Sequence, residues 1–214
     1  NISPLVSQLL INRGLESIDQ ADFFINATLK DLYSPFLMKD MDRAVQRIIT
    51  AVEKKEKICI YGDYDVDGIT ATAVVLLFLR EVNASVFYYL PNRLQEGYGL
   101  DTEALQKITR EGATLLITVD CGISDIEPIQ YARTKNLDVI VTDHHEPPEK
   151  LPPAYAILNP KQPGCSFPFK ELAGVGVAFN LIMALRTKLR EHGFWQQETP
   201  PNLKNYLDLV ALGT

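Results

Sequence analysis

The pattern of apolar and polar positions changes period near residue 57. Before that point the apolar residues recur at helical spacing. Leu5, Leu9 and Leu10 line one short segment, Gly14 stops it, and Ser17 stands where it can cap the next. Short helices are therefore expected over residues 4–24, and residues 30–36, with Pro35, read as a connector. Met41, Ala44, Val45, Ile48, Ile49 and Val52 then form the stripe of a longer amphipathic helix over residues 38–55.

Beyond residue 57 short apolar runs alternate with helical patterns. Strands are predicted at 57–61, 84–90, 114–120, 138–142 and 154–158, and helices at 69–81, 102–111, 125–135, 176–191 and 203–212. Runs such as Leu115-Leu116-Ile117 and Val139-Ile140-Val141 lack polar alternation, as strands covered on both faces should. Repeated strand–helix units with right-handed crossovers predict an α/β fold: a doubly wound, mainly parallel five-stranded sheet flanked by helices. A helical N-terminal extension over 1–56 and an α/β domain over 57–214 are the expected divisions.

Composition narrows the class. The 214 residues are 46% hydrophobic and 22% charged, ordinary for a globular domain. Lys and Arg number 21 against 27 Asp and Glu, a formal net charge of -6, which argues against a non-specific nucleic-acid-binding face within this segment. Three scattered cysteines, Cys59, Cys121 and Cys165, form neither a disulfide framework nor a zinc motif, which fits a reducing compartment. The longest apolar run is too short to span a bilayer, and the first residues lack the features of a signal peptide. A cytoplasmic setting is expected.

Charge is unevenly placed, and that gives the candidate chemistry. Asp63, Asp65 and Asp67 alternate directly after the first strand, Asp120 ends the third, and Asp143-His144-His145 ends the fourth. Alternate residues of an extended chain point the same way, so the three aspartates are expected to converge. Ligands of doubly wound sheets sit beyond the carboxyl ends of the strands, where all three groups meet. Crowded carboxylates repel unless a cation neutralises them, and oxygen donors with a histidine suit Mn²⁺ or Mg²⁺. Two ions sharing a bridging carboxylate would serve phosphoester hydrolysis. A single Asp after a strand is commonly only a turn residue. Cys121 reads as a small buried thiol, His192 as a helix C-terminal cation and Trp195 as a packing residue.

The ordered set Asp63-Tyr64-Asp65-Val66-Asp67-Gly68, Val119-Asp120-Cys121-Gly122 and Asp143-His144-His145 resembles the DHH phosphoesterase superfamily. The likeness extends to residues 92–99 and to Ala173-Gly174-Val175-Gly176, and so covers nearly the whole chain. Within the family it is nearest to bacterial exonucleases that degrade single-stranded DNA from the 5′ end in repair and recombination. The resemblance implies that Asp65 and Asp120 hold one metal, with Asp63 as ligand or support. It gives Asp67, Asp120 and His144 to the second metal, makes Asp120 the bridge, sets His145 beside the scissile phosphate and has Asp143 orient its neighbours. Arg93 and Tyr98 would lie in a loop over the substrate. Gly174 and Gly176 either approach phosphate through backbone N–H groups or merely make a tight connection. A single-strand-binding protein and a helicase are the implied protein partners.

Family members continue past Thr214 into a further aspartate and a substrate-binding domain, so weak metal binding and little nuclease activity are expected of this segment alone. Two rival functions are cleavage of oligoribonucleotides or cyclic dinucleotides, and a non-catalytic replication factor. The second typically lacks metal ligands that are present here. On this reading Asp67→Ala removes catalysis in the full-length enzyme and leaves the fold intact.

Overall fold

The computed structural model describes every residue except 1, 93–98 and 197. Two compact units divide between Ser34 and Pro35. The first holds α1 (Pro4–Ile11) and α2 (Ile18–Asn26). Ser3 accepts from the N–H of Val6 to cap α1, and Ser17 and Gln20 form a reciprocal capping box on α2. This is the cap read from the sequence.

The second unit opens with α3 (Met41–Glu53), whose Met41, Ala44, Val45, Ile48 and Ile49 are buried. There follow β1 (Lys57–Gly62), α4 (Val66–Glu81), β2 (Val86–Tyr89), α5 (Thr102–Arg110), β3 (Ala113–Val119), α6 (Ile126–Thr134), β4 (Asp138–Thr142), β5 (Ala156–Leu158), α7 (Gly174–Glu191) and α8 (Leu207–Gly213). The five strands form one sheet in the order β2-β1-β3-β4-β5, and every pairing is parallel. The direction of winding reverses between β1 and β3, which opens a crevice at their carboxyl ends.

Both sheet faces are covered, which explains the unbroken apolar strands. Cys59, Tyr61, Leu116, Val139 and Val141 meet Leu105, Ile108, Ile129 and Ala132 of α5 and α6 on one face. The alternate residues Ile58, Ile60, Leu115, Ile117 and Ile140 are also fully buried, on the side where α4 and α7 pack against the strands. Truncating one such residue to Ala costs about 2–5 kcal/mol through lost transfer energy and the cavity left behind.

Several boundaries differ from expectation: α3 begins at Met41, not residue 38, and the last helix begins at Leu207, after a tighter turn over Leu203–Tyr206. Two of the differences lie at the crevice. α4 begins at Val66, not residue 69, because Asp65 accepts from the N–H of Gly68 and starts the helix early. Asp65 and Asp67 therefore lie at a helix N-terminus and not on extended chain, so the alternation argument for their convergence does not apply. α7 begins at Gly174, which brings the first of the two glycines into its opening turn.

Candidate metal centre

Register places the site. Gly62, Val119, Thr142 and Leu158 pair across β1, β3, β4 and β5. The next residue of each strand is therefore Asp63, Asp120, Asp143 and Asn159, a polar row along one rim. Three of the four are the strand-end aspartates singled out from the sequence. Asn159 was missed; its signal was an amide at a strand end before Pro160.

At the β1 end, Asp63 is 5% exposed and its Oδ1 accepts from the N–H of Tyr64 at 2.7 Å. Burial raises its pKa, opposed by that N–H, with the charge of Asp65 adding to the rise. A Cβ on Gly68 would stand 2.6 Å from the Cβ of Asp63, so only glycine lets the first turn of α4 lie against that backbone. Asp67, one residue earlier, directs its carboxylate across to α7. Its Oδ2 accepts from the N–H of Gly174 at 2.7 Å and its Oδ1 from the N–H of Val175 at 2.6 Å.

Asp120 ends β3 in a left-handed backbone conformation, φ 61°, with its N–H on the carbonyl of Thr142. Its side chain is 2% exposed, and Oδ1 is buried with no hydrogen-bond partner. His144 Nε2 lies 3.1 Å from that oxygen, within ion-pair distance. Burial pushes the Asp120 carboxyl up to about 6, with His144 opposing and Asp67 adding to the rise. His144 in turn is raised, chiefly by Asp120. Its Nε2 also stands 3.6 Å from Asp67 Oδ2.

Asp143 holds the β4 turn together. It is 1% exposed and accepts from the N–H groups of Ile123, His144 and His145 and meets His145 Nδ1 at 2.7 Å. Burial works to raise its pKa, but the His145 ring and these N–H groups outweigh it and the net shift is downward. An ionised carboxylate only accepts, so Nδ1 of His145 carries the proton. Asn159 supports the same turn from β5, donating from Nδ2 to the carbonyl of His145 at 2.9 Å while its Oδ1 accepts from the N–H of Lys161 at 2.8 Å.

Two donor sets emerge among the described residues. Ligand atoms of Asp63, Asp65 and Asp120 lie within 4.8 Å of one another, as do those of Asp120, His144 and His145. Asp120 belongs to both. Asp67 belongs to neither and reaches the site through its approach to His144. Gly174 abuts Asp120, where an added Cβ would come within 2.5 Å of Oδ1; a Cβ on Gly176 would meet Leu172 first, at 3.0 Å. Arg93 and Tyr98 lie outside the described residues. The chain just beyond them is anchored, with Tyr61 Oη donating to the carbonyl of Gly99 and Asp125 accepting from the N–H of Leu100.

The donors suit a hard divalent cation. Carboxylate oxygens and imidazole converge, one oxygen is buried without a donor, and an ion would satisfy it. Cys121 is wholly buried with its thiol pKa raised well above the usual value, so no thiolate is at hand for a softer metal.

Residues 57–214 match the family described as "DHH family, N-terminal domain". The single-stranded-DNA-specific exonuclease RecJ of Bacillus subtilis (strain 168) is 47% identical over 100% of this chain and 26% of its own length. RecJ of Escherichia coli (strain K12) is 41% identical over 100% of this chain and 37% of its own. A crystal structure of exonuclease RecJ bound to manganese has a TM-score of 0.71 and 34% identity, covering 83% of this chain and 43% of that one. RecJ from Thermus thermophilus in complex with Mn²⁺ gives 0.70 and 28%, covering 100% of this chain and 30% of that one. The chain thus spans only about a quarter to somewhat over a third of these two curated relatives.

Proposed function

This chain belongs to the DHH family, and on that premise we propose that it forms the metal-holding segment of a single-strand-specific DNA exonuclease. The reaction is hydrolysis of phosphodiester bonds from the 5′ end, in repair and recombination. The observation that carries this reading is the join at Asp120, a buried carboxylate with one oxygen lacking a donor, which is common to two donor sets on one rim. The chain's high identity to proteins named as such exonucleases supports the same substrate.

Asp65 and Asp120, with Asp63 beside them, would hold one Mn²⁺ or Mg²⁺, and Asp67, Asp120 and His144 the other. Such a pair, when bound, supplies an activated water and stabilises charge on the oxygens at phosphorus. The remaining chemistry belongs to the side chains. Asp143 holds the Nδ1 proton of His145 and raises the pKa of the ring, so that His145, as the imidazolium, gives its Nε2 proton to the leaving oxygen of the phosphodiester. Asn159 and the N–H of Ile123 keep that turn in place. Arg93 and Tyr98 clamp phosphate and stack a base. Gly174 and Gly176 are the remaining substrate-side residues of the family pattern, although the N–H of Gly174 is engaged by Asp67. Residues 57–214 are the catalytic domain in this reading, the setting is cytoplasmic, and a single-strand-binding protein and a helicase are the protein partners.

Incubating the protein with 5′-labelled single-stranded DNA and Mn²⁺ tests the proposal. Slow release of label as short products is expected of this segment alone, and none above background in Asp120→Ala. Unchanged digestion by that variant refutes the site. Preference for a dinucleotide over the long strand would move the reading to a small-nucleotide phosphodiesterase.

A further inference from the structure

α7 is an 18-residue helix without a cap of its own. Ala173 occupies its N-cap position, offers no side-chain acceptor, and no acidic residue lies in the first turn. Such a helix leaves its first N–H groups without intrahelical partners and concentrates positive potential there. Two of those donors, Gly174 and Val175, are satisfied by the carboxylate of Asp67, which is 107 positions away from Gly174 in the chain. At 2.7 and 2.6 Å these are charge-assisted bonds, one to each oxygen.

The same turn also contacts the other key carboxylate. At position 174 any Cβ would lie 2.5 Å from Asp120 Oδ1 and 2.8 Å from its Cβ and Cγ. Asp120 cannot easily withdraw, because its backbone is held in the left-handed region and bonded to Thr142. One turn of α7 therefore meets both the acidic turn after β1 and the aspartate after β3.

We propose that Asp67 is the missing N-cap of α7 as well as a metal ligand, and that Gly174 and Val175 are positioning residues acting through it. Their N–H groups fix its carboxylate plane, while the absent Cβ of Gly174 sets the distance between Asp67 and Asp120. The metal half of this statement rests on the function proposed above; the cap half does not. Removal of Asp67 would then disturb the fold as well as the chemistry, contrary to the expectation drawn from sequence.

The test turns on a sign. If Asp67 were a ligand alone, replacing it in the chelator-treated protein would relieve repulsion among Asp63, Asp65, Asp120 and Asp67 and raise the melting midpoint. If it caps α7, Asp67→Asn sets an amide NH₂ against a backbone N–H, and the midpoint falls by roughly 5 °C or more. In ¹⁵N-labelled protein the amide protons of Gly174 and Val175 should resonate downfield and move upfield in Asp67→Asn. Should that variant not fold, the downfield position in the parent chain still decides, since ordinary resonances overturn the cap. Gly174→Ala keeps every side-chain donor and should weaken Mn²⁺ binding about tenfold or more with unchanged far-ultraviolet circular dichroism. Affinity equal to the parent's overturns the positioning role. Loss of Mn²⁺ binding in Asp67→Asn with a raised or unchanged midpoint overturns the cap and leaves the ligand reading standing. A lowered midpoint in Asp67→Asn with Mn²⁺ affinity equal to the parent's overturns the metal half alone.

Discussion

The burial of Asp120 should make the metal-free protein lose stability as pH rises, the reverse of ordinary acid denaturation. Asp120 moves from 3.8 to about 6 on folding, with burial as the main cause. Its raised pKa means that the folded state binds a proton which the unfolded chain has already released. Stability is then greatest below 3.8 for this group and falls as pH climbs to about 6. At 1.36 kcal/mol per pH unit the whole displacement corresponds to about 3 kcal/mol. Asp63 is raised by burial and acts in the same direction. His144 is raised chiefly by Asp120, so its contribution is present below its unfolded pKa and is lost as pH passes its folded value. Asp120 and His144 titrate as a coupled pair, so the two contributions are not summed. Asp143 has the opposite sign, but its lowered pKa confines that loss to the acid side of the window.

Urea unfolding in chelator, at steps from about pH 4 to pH 7, measures this directly. The unfolding free energy should drop by about 2–3 kcal/mol, a fall in midpoint of roughly 5–10 °C for a chain of this size. In Asp120→Asn, which cannot ionise, the drop should largely vanish. Saturating Mn²⁺ should reverse the trend, because the metal requires the ionised carboxylate and stabilises only the folded state. Stability that rises with pH in chelator, or an equal slope in Asp120→Asn, would refute the reasoning.

Three further outcomes follow from other residues. Gly68→Ala brings a Cβ within 2.6 Å of Asp63 and should cost about 1–3 kcal/mol by thermal melting, with weaker Mn²⁺ binding measured by titration calorimetry. Asn159→Ala leaves the carbonyl of His145 without its donor; stability should fall by about 1 kcal/mol, and kcat should fall more than KM changes in a digestion assay. Arg47 bonds Glu56 and Asp138 at 2.7 Å each, far from the rim in sequence, and Arg47→Ala should cost about 2–4 kcal/mol without altering Mn²⁺ affinity. Burial works to raise the pKa of Glu56, but Arg47 and Thr114 outweigh it and lower it on balance, so this contribution is present above 4.5 and fades in acid; the variant should lose that acid dependence in a urea series.

The fold was legible wherever local chemistry and tertiary environment agree. Val139-Ile140-Val141 is apolar on both sides because helices cover both sides, and no long-range information was needed to read it. The family was legible because its motifs stand in order at strand ends. The internal construction of the site was not. Asp63, Asp65 and Asp67 look equivalent along the chain, yet one ends a strand, one caps α4 and one reaches to α7. Nothing near Asp67 announces a helix that lacks a cap, because that deficiency is written at Ala173. Nor does a strand-end asparagine declare itself until register sets Asn159 in the same row as Asp63, Asp120 and Asp143. Motifs name the groups that do chemistry, whereas the distances between them depend on backbone N–H groups and on a missing Cβ, which carry no side-chain signature. A glycine such as Gly174 is therefore hardest to interpret from sequence at the point where it constrains the site most.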